Sequence, residues 1–151
     1  GGNVLVSGAH IATDVWDEIY PAQVDSAYRA DTQKFAKDVL GYRWVSNFAG
    51  RKGKVSMVKS TRMGVEPGAK WEFHNEMNED CYCVETPDGI SPASSKTGST
   101  FMRYTDTELS AGICHEGKGY RTVCLGFPVE TLKNEKDIDH IINITLQFFS
   151  K

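Results

Sequence analysis

The sequence predicts a single α/β domain in which helices pack around a sheet. Apolar residues recur at helical spacing in some segments and alternate in others. The segments follow the order strand, helices, antiparallel strands, strand hairpin and helix. The chain has 151 residues, of which 40% are hydrophobic and 25% charged, and this suffices for one domain over residues 1–151 with its own core.

The opening segment predicts a strand, a tight turn and the start of a helix. Residues 4–6 are an apolar run typical of a strand buried on both faces, Ser7 and Gly8 end it, and Thr13 with Asp14 begins a helix. Ligands and reactive side chains collect at the carboxyl ends of strands in α/β sheets, because loop and helix amides converge there. We therefore expect any chemistry first at this turn.

Three helices are predicted. The first follows the opening turn as far as Pro21, and the second is capped by Asp31 or Thr32 and stopped by Gly41, with residues 24–30 leading into it as a loop or a helical turn. The third begins at Asn134, and one face carries its apolar residues, Ile138, Ile141, Ile142, Thr145, Phe148 and Phe149.

The middle of the chain predicts antiparallel strands added to the α/β core. Alternating segments occur at residues 42–45, 54–60, 71–74, 81–84, 101–104, 111–114 and 120–127. Glycine-rich turns at 49–53 and 115–119 connect them. Residues 76–100, apart from the short segment at 81–84, have the composition of a loop.

Charge and length exclude several classes of partner. A net charge of −3 argues against nucleic acid, and no apolar run is long enough to cross a bilayer. The basic cluster of Arg51, Lys52 and Lys54 is expected to decorate a solvated turn. The acidic and thiol residues between His74 and Cys83 match no standard zinc or calcium loop, so we predict no metal and no cofactor.

Five segments carry a resemblance to a known family: VLVSGAHIATDVWD, KFAKDVLGYRWVSNFAGRKGKV, DGISPA, FMRYTDTELSAGICHEGKGYRTVCLGFPVET and the closing helix. Together they resemble the amidotransferase-like, flavodoxin-type domain of large secreted bacterial proteins described as xanthan lyases or as carrying a golvesin-type C-terminal domain. The resemblance implies a three-layer flavodoxin/amidotransferase-like sandwich with added antiparallel strands.

The resemblance also implies a longer parent protein. It makes the opening strand a central one, so that the first strands of the sheet precede Gly1 and this chain is the C-terminal part of the domain. Such a strand exposes an edge, which favours pairing with the missing upstream segment or with another copy of the chain. The implied location is secreted, periplasmic or at the cell surface, with a targeting segment outside this chain.

The related enzymes imply a lost activity. Class I glutamine amidotransferases place a cysteine in a strand-to-helix turn of the form G-x-C-x-G and take a histidine and a glutamate from a later H-P-E. These motifs fall on residues 7–11 and 126–130, where Ala9 replaces the cysteine and Glu130 remains without a histidine. The resemblance therefore implies a non-catalytic accessory or interaction domain, associated with extracellular polysaccharide.

An enzyme remains the alternative, with a site at the loops after Val6 and Phe127. A hydrolase would use Ser7 as nucleophile, with His10 as base and Asp14 or Glu130 in support. It requires Ser7 within hydrogen-bond distance of a histidine in an open cleft, whereas Ser7 can instead bond to its local backbone.

A polysaccharide lyase would need a base and a group that neutralises a uronate carboxylate. His115, Arg103, Tyr104 and Arg121 have the required side chains. The alternative is that Tyr104 and Arg121 point outward from exposed strand faces without a function.

Tryptophan faces raise the possibility of a carbohydrate ligand, because aromatic rings stack on sugars. Trp16 and Trp44 lie in apolar patterns and are expected in the core. Trp71, between Lys70 and Glu72, is the best candidate for exposure. We therefore assign the candidate ligand-binding role to Trp71, Arg103 and Tyr104.

Overall fold

The computed structural model describes residues 2–16 and 26–151, and within them eight strands form two sheets. The strands are β1 (Val4–Ser7), β2 (Tyr42–Ser46), β3 (Lys54–Met57), β4 (Lys70–Glu72), β5 (Gly89–Pro92), β6 (Gly98–Tyr104), β7 (Ser110–Gly117) and β8 (Tyr120–Leu125). Six of them form one sheet in the order β1-β8-β7-β6-β3-β4, and β2 pairs with β5. The mixed α/β class is confirmed.

The main sheet joins one parallel pair to an antiparallel meander. β1 runs parallel to β8, with Val4 opposite Thr122 and Ser7 opposite Leu125. The pairs β8–β7, β7–β6, β6–β3 and β3–β4 are antiparallel. The predicted antiparallel addition is therefore confirmed, and β1 ends beside the end of β8.

The described helices are α1 (Thr13–Trp16), α2 (Ser26–Phe35) and α3 (Glu135–Phe149), with a π-helical turn at Ala36–Leu40 and a 3₁₀ turn at Val129–Thr131. Gly41 ends the π-helical turn with φ +83°. The Asn134 side chain accepts a hydrogen bond from the Lys136 amide, so the predicted cap is confirmed. None of the described helices combines the length and apolar character of a bilayer span.

Of the remaining helix predictions, one is wrong and one lies partly outside the described residues. The cap at Asp31 or Thr32 is wrong, because both residues lie inside α2. The Thr32 hydroxyl donates to the Tyr28 carbonyl one turn earlier, at 2.7 Å, which is a bond of helix interiors. The remainder of the first predicted helix, as far as Pro21, falls outside the described residues.

Two strand predictions are wrong. Residues 81–84 form no strand, whereas β5 lies in a segment whose composition favoured a loop. β5 exists because β2 pairs with it, from Tyr42 opposite Pro92 to Ser46 opposite Gly89. A strand of four residues in which Ile90 stands among glycine, serine and proline has little local signal and depends on its neighbour.

The alternation of side chains along β8 divides the core into two clusters. Val123 and Leu125 belong to the cluster that contains α3, whereas Cys124 belongs to the cluster that contains Ala12 and Ala36. Because successive side chains point to opposite faces of a strand, both faces of the sheet centre are covered.

β1 lies at the edge of the main sheet. Val4 is 44% exposed and the other three residues of β1 are half-buried, so the expectation of burial on both faces is wrong. The physical reason is that β1 has a described neighbour, β8, on one side alone.

Candidate functional site

Asp88 is a buried carboxylate that holds the chain after β1. Its Oδ2 accepts hydrogen bonds from the Ala12 amide at 2.7 Å and the Thr13 amide at 2.9 Å, and its Oδ1 accepts from the Thr13 hydroxyl. Burial raises the pKa of Asp88, although these hydrogen bonds oppose the rise. Asp88 was missed in the sequence, where Pro87-Asp88-Gly89 has only the composition of a turn.

The backbone of Asp88 is fixed as tightly as its side chain. The Tyr104 hydroxyl donates to the Asp88 carbonyl at 2.8 Å, and the Asp88 amide donates to the Gly126 carbonyl at 2.7 Å. A Cβ atom on Gly126 would lie 1.9 Å from the Asp88 carbonyl oxygen, so only glycine permits this approach.

Tyr104 is therefore a core residue. It has no exposed surface, so the outward orientation considered for it is wrong and its ring presents no face to a ligand. Irregular pairing of β6 with β7 around Met102 interrupts the alternation, and Phe101, Met102 and Tyr104 are all buried.

Ser7 and Ala9 serve the structure of the turn after β1. The Ser7 hydroxyl accepts a weak hydrogen bond from the Val129 amide at 3.4 Å, and Ala9 packs against the core cluster of α3. In the 3₁₀ turn that follows β8, Glu130 accepts a hydrogen bond from the Tyr82 hydroxyl at 2.6 Å. Partial burial and the Glu130 carboxylate raise the pKa of Tyr82 to about 12.

The His10 imidazole contacts the hydroxyl of Thr86, a residue that the sequence did not indicate as its partner. Its Nε2 lies 2.9 Å from the Thr86 hydroxyl oxygen, and its Nδ1 lies 3.9 Å from a carboxylate oxygen of Asp14. The structure thus brings Thr86, His10 and Asp14 together, and no hydrogen bond joins Ser7 to His10. Thr86 lies 76 positions along the chain from His10, so no local spacing could reveal the pair.

His115 lies away from the end of β1. It pairs with Thr122 on β8, three residues before Leu125, which faces Ser7, and three residues of strand span about 10 Å. The imidazole is 6% exposed, and within the described part of the chain neither ring nitrogen has a hydrogen-bond partner. Burial and the Arg62 guanidinium lower the pKa of His115, against the opposing carboxylate of Glu116.

The expected carbohydrate-stacking residue is also buried. Trp71 is 3% exposed, so the prediction of an exposed ring is wrong. In β4 the flanking Lys70 and Glu72 face outward, and the alternation places Trp71 in the core, where its ring is nearly perpendicular to that of His140. Arg103 donates to the Glu108 carbonyl at 2.6 Å, and Arg121 lies 3.7 Å from Glu116.

The basic cluster lines a cavity of about 530 Å³ beside β3 and β4. Its cationic side chains are Arg51, Lys52, Lys54 and Lys133. The sequence predicted that Arg51, Lys52 and Lys54 would lie together on a solvated turn. Lys133 is distant in sequence, and the fold brings it to the same cavity. Across the described residues, no group of three or more His, Cys, Asp or Glu side chains could hold a metal ion.

We expect Asp88→Ala to lower the free energy of unfolding by about 3 kcal/mol, because two amides and a hydroxyl lose their buried acceptor. Asp88→Asn retains one acceptor oxygen and should lose about half as much. Urea unfolding monitored by tryptophan fluorescence measures both changes. The exposed Asp139→Ala serves as control and should stay within about 0.5 kcal/mol of the wild type. Equal stability of all four proteins would contradict the role of Asp88.

His115 should make stability depend on pH. Its pKa is lower in the folded chain than the ordinary 6.5, so the unfolded chain binds the proton more readily. The contribution of the neutral imidazole is present above pH 6.5 and is lost as the pH falls below it. We expect His115→Leu to lose less stability than the wild type between pH 7 and 5 in urea titrations. Parallel pH profiles for the two proteins would refute this.

Comparison of the chain with family models, curated proteins and solved structures found no match. Three features of the described residues bear on function. The Ser7 hydroxyl after β1 accepts from the Val129 amide, the His10 imidazole contacts the Thr86 hydroxyl, and a cationic cavity lies beside β3 and β4.

Proposed function

We propose that this chain is a non-catalytic accessory or interaction domain of a secreted, multi-domain bacterial protein associated with extracellular polysaccharide. The observation that supports it best is the turn after β1. Ala9 has no reactive atom, the Ser7 hydroxyl bonds to the Val129 amide, and His10 is directed to Thr86. A hydroxyl nucleophile needs its base within hydrogen-bond reach, and among the described residues no base is hydrogen-bonded to the Ser7 hydroxyl.

The proposed architecture is the three-layer flavodoxin/amidotransferase-like sandwich, with this chain as its C-terminal part. The parallel β1–β8 pair, the helix that follows β1 and the core clusters on both faces of β8 support it. Among the described strands β1 pairs with β8 alone, and this supports pairing with an upstream segment or with another copy, because the backbone groups on its other side can accept a further strand.

A polysaccharide partner is supported by the distribution of charge. The chain has a net charge of −3, yet four cationic side chains line one cavity together with two carboxylates, those of Glu72 and Glu76. Such a local excess of positive charge favours an anionic ligand.

A hydrolase is the second candidate, because the contact between His10 and Thr86 has the distance required of a base and its hydroxyl. In the described part of the chain the candidate third member, Asp14, is poorly held, since it is 3.9 Å from the imidazole and its side chain is 79% exposed. For a lyase, His115 is buried and the Tyr104 hydroxyl is bonded to Asp88, so neither is placed as a base.

Binding and turnover measured on the same purified protein test the proposal. We expect the wild type to bind at least one acidic polysaccharide in affinity electrophoresis and to turn over neither esters nor acidic polysaccharides. Ser7→Ala should bind equally well. Turnover that disappears in both His10→Ala and Thr86→Ala would replace the accessory function with the hydrolase. Absence of both binding and turnover would reject the polysaccharide association.

A further inference from the structure

We propose that the cavity beside β3 and β4 is the binding site for a saccharide that carries carboxylate groups, such as a chain of uronic acid residues. This inference rests on the proposed function. It names the class of ligand for that function and the residues that bind the ligand. The cavity is bounded by the outward face of the β3–β4 pair, the turn at 51–54 and the loop at 74–78, with Lys133 on its rim.

Two of the cationic side chains are held in place by one carboxylate. Lys54 lies directly opposite Glu72 in the β3–β4 ladder, and its ammonium is 3.0 Å from the Glu72 carboxylate. The Lys133 ammonium is 3.5 Å from the same carboxylate, and the Lys133 amide donates to the Glu72 carbonyl. The hydrogen bond and charge of Lys54, followed by those of Lys133, lower the pKa of Glu72. The two ammonium groups therefore flank a carboxylate that stays ionised.

The other two cationic side chains are available to a ligand. Within the described chain, the Arg51 guanidinium and the Lys52 ammonium have no hydrogen bond or ion pair. The backbone that carries them is nevertheless fixed. The Arg51 amide donates to the Asp106 carboxylate at 2.8 Å, and the Asn75 side chain donates to the Arg51 carbonyl at 2.9 Å. The free cationic groups thus project from an anchored turn.

A second cavity extends the cationic surface along the sheet. It has a volume of about 300 Å³, shares Lys54 and Glu72 with the first cavity, and adds Lys70. Lys70 and Glu72 are two residues apart in β4 and lie on the same face. The cations therefore follow the edge of the sheet, as a polymer with repeated negative charges requires.

The mixed charge of the wall favours a carboxylate saccharide over phosphate. A guanidinium matches the two oxygens of a carboxylate with parallel hydrogen bonds. Glu72 and Glu76 would repel a doubly charged phosphate, whereas their oxygens can accept hydrogen bonds from the hydroxyl groups of a sugar. A ligand with separated single charges and neutral hydroxyls fits both features.

The test is a titration of the protein with an oligomer of galacturonic acid, followed by calorimetry at low salt. The variant Arg51→Gln/Lys52→Gln removes the two free cations. The matched control Lys96→Gln/Lys118→Gln removes the same charge from exposed positions elsewhere. We expect at least tenfold weaker binding for the first pair, unchanged affinity for the control within about twofold, and no binding of a neutral galactose oligomer by the wild type.

The contrary outcomes separate the two proposals. Undiminished binding by Arg51→Gln/Lys52→Gln would overturn the assignment of the site and leave the accessory function standing. Equal binding of the neutral oligomer would overturn the requirement for carboxylates. Inorganic phosphate that competes better than monomeric galacturonate would overturn the saccharide assignment. Failure of the wild type to bind any acidic polysaccharide would remove the polysaccharide function together with the site.

Discussion

The hydrogen bonds that converge on Asp88 are the constraint on which the rest of the site depends. One side chain joins the start of α1 to β5, two segments that are 75 residues apart in sequence. Its carbonyl receives the Tyr104 hydroxyl and approaches Gly126, so the same residue also ties β5 to β6 and to the end of β8. Buried donors require acceptors, and Asp88 accepts from the amides of Ala12 and Thr13 and from the Thr13 hydroxyl at the start of α1.

This constraint also bears on the turn after β1. With Ala12 and Thr13 bound to Asp88, the preceding residues have little freedom, and the Ser7 hydroxyl accepts from the Val129 amide in the 3₁₀ turn that follows β8. The hydroxyl of Ser7 therefore satisfies a backbone amide. The cationic side chains of the cavity, in contrast, lie beside β3 and β4, towards the opposite edge of the sheet.

The elements with local signals were predictable from the sequence, and those that depend on distant partners were not. Gly41 and Asn134 mark helix ends because a left-handed residue and a capping side chain act within a few positions. β5 forms by pairing with β2, which is distant in sequence. The hydrogen-bond partners of Asp88 and Thr86 are likewise 75 or more positions away along the chain. For the candidate site, the sequence indicated Arg51, Lys52 and Lys54 as a cluster but could not show that Lys133 completes it.

The two edges of the main sheet differ in a way that limits how copies of this chain can assemble. β4 has three residues, and two of them place charged side chains outward. β1 is apolar and open, and a two-fold axis beside it would set two copies of β1 antiparallel in one continuous sheet. Within the described residues, that arrangement would use the β1 edge of both copies and place β4, with its charged side chains, at both ends of the continuous sheet. A main sheet extended through β1 would therefore contain two copies of the chain rather than grow into a fibre.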